Sequence, residues 1–120
     1  MVLSLHHVHL KTPDPKATIK YYIDNFGATI KGEMAGGYML DLHGLQINVT
    51  EIMKTQNHHQ YYGIEHIAME TTDFTGTMAK LRANGVQVLE ELPPNPATGK
   101  RVSWVQCPDG AQMEVIEKLA

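Results

Sequence analysis

Only one cysteine, one tryptophan and two phenylalanines occur in the 120 residues. The lone Cys107 excludes an internal disulfide framework and fits a cytoplasmic setting. Basic runs are missing as well, and the formal net charge is −3, so neither a nucleic acid nor a membrane surface is expected as a partner. No apolar run approaches the roughly 20 residues that span a bilayer. The opening MVLSLHHVHL has neither a charged n-region nor a long apolar h-region, so no targeting segment is expected. What remains is 42% hydrophobic and 19% charged, enough for an ordinary core in a single soluble domain, residues 1–120, whose partner is a small molecule.

The chain writes itself twice. GLQINVTE, Gly44 to Glu51, returns as GAQMEVIE, Gly110 to Glu117, with Glu114 in the place of Asn48. LHHVHLKTPD, Leu5 to Asp14, lies over IEHIAMETTD, Ile64 to Asp73, which sets His7 on His66, Thr12 on Thr71 and Asp14 on Asp73. Helix signals follow each copy. Asp14 caps a stripe of Ile19, Tyr22, Ile23 and Phe26 closed by Gly27; Asp73 caps Phe74, Met78 and Leu81, closed by Gly85. Strand-like runs near Ala28 to Gly32 and Gly37 to Leu42 precede GLQINVTE, and Val86 to Glu90 and Arg101 to Cys107 precede GAQMEVIE. Each half therefore reads strand, helix, strand, strand, strand. The halves are module 1, about 1–54, and module 2, about 60–120, joined by the polar TQNHHQ. The fold class is α+β, with curved sheets sharing a core or cleft, because a unit this small buries little alone.

Period-two alternation then assigns faces. Val8 and Leu10 face the first helix, with His7, His9 and Lys11 opposite; Ile67 and Met69 face the second, with His66, Ala68 and Glu70 opposite. Ile47 and Val49 point inward from GLQINVTE, leaving Gln46, Asn48 and Thr50 on the other side, and Gln112, Glu114 and Ile116 lie opposite Met113 and Val115. An antiparallel sheet with one wet face gives the same alternation. Residue type argues otherwise, since a solvated row favours Lys, Thr and Glu over His, Gln and Asn. A pseudo-twofold would bring His7 to His66 and Asn48 to Glu114, a donor set suited to one divalent ion.

These segments, HHVHL, YYIDNFGATI, GIEHIAMETTD and PDGAQMEVIE, resemble the vicinal oxygen chelate superfamily over essentially the whole chain. That superfamily includes glyoxalase I, methylmalonyl-CoA epimerase, extradiol dioxygenases and the bleomycin and fosfomycin resistance proteins. The resemblance implies two βαβββ modules around a metal-binding cleft, commonly in a homodimer. It implies one divalent ion, Zn, Ni, Co, Mn or Fe(II), on His7, His66 and Glu114. Glu or Gln is usual at the place of Asn48, whose shorter side chain leaves open whether it or Gln46 is a fourth ligand. Whether one chain or two complete the site is also open.

The function implied is a lyase or isomerase of the glyoxalase I or epimerase type, which moves a proton next to a carbonyl of a small chelating substrate. Glu114, Glu70 and His9 are its candidate catalytic bases. The alternative is an extradiol-type Fe(II) dioxygenase, which fits if two His and one carboxylate are the whole ligand set. A bleomycin or fosfomycin resistance-type protein is the third reading. His7-Val8-His9 also suggests a cupin, a distant second because Pro13 and a helix follow it. His58 and His59 are expected in solvent, Trp104 in the core, and Lys11, Lys100 and Arg101 could receive an anionic substrate tail.

Overall fold

A computed structural model describes residues 2–119. Its elements run β1 (Leu3–Lys11), α1 (Pro15–Phe26), β2 (Thr29–Met34), β3 (Gly37–Leu42), β4 (Leu45–Thr50), β5 (Gly63–Thr71), α2 (Phe74–Ala83), β6 (Val88–Glu91), β7 (Val102–Gln106) and β8 (Gln112–Glu117). The fold is mixed α+β, with strand, helix and three strands in each half.

Local chemistry explains both helix starts. The Asp14 carboxylate accepts from the Ala17 amide at 3.1 Å, and Pro15 occupies the first turn, where its missing N–H costs nothing. Asp73 repeats the cap on Gly76 at 2.9 Å. The repeat extends to the threonines: Thr12 Oγ1 meets Thr18 Oγ1 at 2.8 Å, and Thr71 Oγ1 meets Thr77 Oγ1 at 2.7 Å. Gly27 ends α1 in the left-handed region at φ 74°. At the end of α2 that conformation falls on Gly85, one residue beyond the Asn84 cap.

Two compact units divide the chain. One is His7–His66; the other joins the residues up to His6 with those from Ile67 onward. β1 and β5, nine residues each, contribute to both units, so the division differs from the sequence halves. In the His7–His66 unit the strand order is β2-β3-β4-β1-β5, with β1 parallel to β4 and β4 antiparallel to β3. Its core is Leu10, Ile19, Ala28, Leu40, Ile47 and Val49, with Val8, Tyr22 and Ile23 packed against it. Gly37 is required where β3 meets β4, because a Cβ there would run into the carbonyl oxygen of Val49. The other unit orders its strands β1-β5-β8-β7-β6 and packs Phe74 and Met78 on Val105 and Val115.

Two apolar side chains expected inside are exposed. Phe26, the last residue of α1, projects beyond the core and is 53% exposed. Ile67 is 39% exposed while its neighbour Ala68 is fully buried. On β1 and the start of β5 the polar row is buried as well: His7, His9, Lys11 and His66 are each at most 5% exposed.

Candidate metal centre

Three imidazoles meet inside the His7–His66 unit. β1 carries His7 and His9 two residues apart, so alternation sets both on one face, and β5 brings His66 to them. Ring centroids are 4.6 Å apart for His9 and His66, 5.7 Å for His7 and His9, and 5.9 Å for His7 and His66. One ligand nitrogen from each lies within 4.8 Å of the others. Burial first, then the positive charges possible on His66, Lys11 and His7, lowers the His9 pKa to about 2, so its ring is neutral at any ordinary pH.

A neutral imidazole offers one lone pair, and its partner at the other nitrogen decides which. His66 Nδ1 lies 2.9 Å from Glu65 Oε1; the carboxylate accepts the ring N–H, and Nε2 keeps the lone pair. His9 Nε2 is 2.7 Å from Thr50 Oγ1; in the tautomer that donates to this hydroxyl, Nδ1 carries the lone pair.

Asn48 stands opposite His9 in the β1–β4 register and is 5% exposed. Its Oδ1 accepts from Gln46 Nε2 at 2.9 Å, while Gln46 Oε1 accepts from Lys31 Nζ at 2.7 Å. The remaining sequence candidates belong to the other unit. Glu114 is buried on β8 opposite Trp104, itself a core residue as expected. Glu70 lies half-buried, 3.8 Å from His6 Nε2.

Lys11 is unsuited to an anionic tail, because its side chain is fully buried with Nζ 3.6 Å from Glu65 Oε1. Arg101 is likewise occupied, forking onto Glu117 with contacts of 3.2 and 2.8 Å. His59 is exposed and lies against the Tyr61 ring, whereas His58 is half-buried. Glu65 escaped the sequence reading. Strand neighbours normally point to opposite faces, so nothing in the alternation joins Glu65 to His66.

The glyoxalase/bleomycin resistance protein/dioxygenase superfamily model matches residues 4–115. The chain belongs to that superfamily. Similar solved structures include a hypothetical protein from Bacillus halodurans C-125, with TM-score 0.76, 21% identity, and coverage of 98% of this chain and 96% of that one. A Streptomyces coelicolor methylmalonyl-CoA epimerase variant in complex with 2-nitronate-propionyl-CoA gives 0.73 at 21% identity over 100% of both chains. The Mycobacterium tuberculosis methylmalonyl-CoA epimerase gives 0.73 at 20% identity, covering 97% of this chain and 88% of that one. No curated protein matches the chain.

Proposed function

We propose that the protein is a metal-dependent isomerase of the epimerase or glyoxalase type, transferring a proton at the carbon next to a carbonyl of a small chelating substrate. The observation that carries this reading is the set of three buried imidazoles with ligand nitrogens within 4.8 Å of one another. Their chemistry fits a divalent ion, since imidazole nitrogens are usual ligands of Zn, Ni and Co, and His9 and His66 each have the other ring nitrogen beside a polar partner. His7, His9 and His66 would hold the ion, which when bound polarises a substrate carbonyl oxygen as a Lewis acid. Three neutral donors leave its charge undiminished, which suits that role. A dioxygenase of the two-histidine, one-carboxylate kind would need Glu114 in place of one imidazole of this trio. Glu114 and Asn48 stay candidate ligands on the resemblance.

His9 lies with the other imidazoles and is assigned to the ligand set rather than to proton transfer. Glu70 and Glu114 are the remaining candidates for carrying the proton. The epimerases among the similar structures support an isomerase. The superfamily resemblance supports a homodimer, and the single free thiol of Cys107 a cytoplasmic location.

Elemental analysis of the purified protein is expected to find about one divalent ion per chain, reduced severalfold in His7→Ala, His9→Ala and His66→Ala. Solvent deuterium should enter α-keto or α-hydroxy acids, or acyl thioesters, without oxygen uptake. Oxygen consumption with catechols and no deuterium exchange would reject the isomerase reading. Unchanged metal content in all three variants would remove the site.

A further inference from the structure

We infer that Glu65 is a positioning residue for His66, held in place by the buried Lys11 ammonium and by the connecting segment that wraps it; the inference rests on the metal-site reading above. The Glu65 carboxylate divides its two oxygens. Oε1 accepts from His66 Nδ1 at 2.9 Å and lies 3.6 Å from Lys11 Nζ, and Oε2 accepts from the Tyr61 backbone N–H at 3.3 Å. Both charged side chains are fully buried. A buried carboxylate is costly unless its charge is matched and its lone pairs are used, and here the ammonium and two N–H groups meet those needs together.

Lys11 is fixed in turn. Its Nζ donates to Gln60 Oε1 at 2.6 Å and to Gln56 Oε1 at 3.1 Å. Gln60 is sewn to the backbone through Met53 N–H, 2.8 Å from Oε1, and through Nε2 donating to Met53 O at 2.8 Å and Gln56 O at 3.1 Å. Tyr61 Oη reaches the Glu65 carbonyl at 3.0 Å. The segment between β4 and β5 is therefore the outer brace of a charge-fixed imidazole rather than a passive tether.

The internal repeat does not reproduce this brace at the equivalent positions. Superposing LHHVHLKTPD on IEHIAMETTD sets Glu65 on His6 and Lys11 on Glu70. The equivalent positions form the His6–Glu70 pair, 3.8 Å apart and partly exposed, whereas Lys11 and Glu65 meet out of solvent. In both pairs the basic residue is on β1 and the carboxylate on β5, but only the buried pair places its carboxylate on a site histidine. A carboxylate on Nδ1 fixes the tautomer with the lone pair on Nε2, sets the ring's orientation and raises its basicity as a ligand.

The test uses Glu65→Gln and, because a lone buried Lys11 could unfold that variant, the double substitution Lys11→Gln/Glu65→Gln, which removes both charges at similar volume. Co2+ affinity is measured by competition with a chromophoric chelator, and the Co2+ absorption spectrum is recorded. Both variants should bind about ten- to a hundredfold more weakly than wild type, with shifted bands. Arg82→Gln, which removes the exposed Arg82–Glu91 pair, should match wild type in both. Imidazole 15N spectra of the metal-free protein should show His66 protonated at Nδ1 in wild type and as a tautomer mixture in the double variant. A folded double variant with wild-type affinity and bands, or an unchanged His66 tautomer, would overturn the inference. Absence of Co2+ binding to wild type would instead reject the metal reading, and the tautomer comparison would still decide the role of Glu65.

Discussion

At the residue scale, His9 shows how burial moves an ordinarily titrating group far below its usual range. Its ordinary value of 6.5 falls to about 2, chiefly because a charged ring would lose its hydration, and further because His66, Lys11 and His7 repel a new positive charge. The unfolded chain still binds a proton at His9 below pH 6.5 and the folded chain does not. This group's contribution to stability is therefore complete above pH 6.5 and is lost as pH falls from 6.5 towards 2. The slope from one such group is about 1.4 kcal/mol per pH unit once the unfolded ring is protonated. Urea unfolding of metal-free protein between pH 8 and pH 4 should show a steeper decline for wild type than for His9→Gln. Equal slopes would mean that His9 is protonated in the folded state. Cys107 is shifted too: burial, and then the nearby Asp109 charge, raises its thiol pKa, the opposite of a reactive nucleophile.

At the element scale the duplicated helix starts offer an internal comparison. Asp14 and Asp73 cap α1 and α2 through equivalent bonds of 3.1 and 2.9 Å, and the backbone N–H of each donates to the hydroxyl oxygen of Thr12 or Thr71, two residues before it. Asp14→Ala and Asp73→Ala should each destabilise the protein by about 1 kcal/mol, measured by urea unfolding. A cost confined to one of them would show that the duplicated sequence does not carry duplicated energetics. These caps were legible in the sequence because they need only residues within one helical turn. The ends of the same helices were less so: Gly27 follows α1 directly, whereas α2 inserts Asn84 before its left-handed glycine. Strand positions were legible to within a residue or two, as with the expected Val86 to Glu90 found at Val88–Glu91.

At the scale of the whole molecule, the homodimer proposed from the superfamily is tested by sedimentation equilibrium. The expected mass is twice the 13.4 kDa of one chain, and a mass that stays at one chain across micromolar concentrations would reject it. The division into units has its own lesson. Sequence halves end where the repeat ends, but the nine-residue strands β1 and β5 each have residues in both units.

The sequence by itself determined the duplicated strand–helix–strand order, the caps, the face shared by His7 and His9, and the equivalence of His7 with His66. All of these follow from short-range periods and from the repeat. Only the tertiary structure decided that the polar row of β1 is buried rather than wet, since alternation separates two faces without saying which meets water. It also decided that His9 joins His7 and His66, and that Glu65 turns back onto His66 while Lys11 is drawn inside to meet it. Those contacts depend on β4, β5 and the segment between them closing around β1, and a buried charge reveals its partner only when residues distant in sequence are packed beside it.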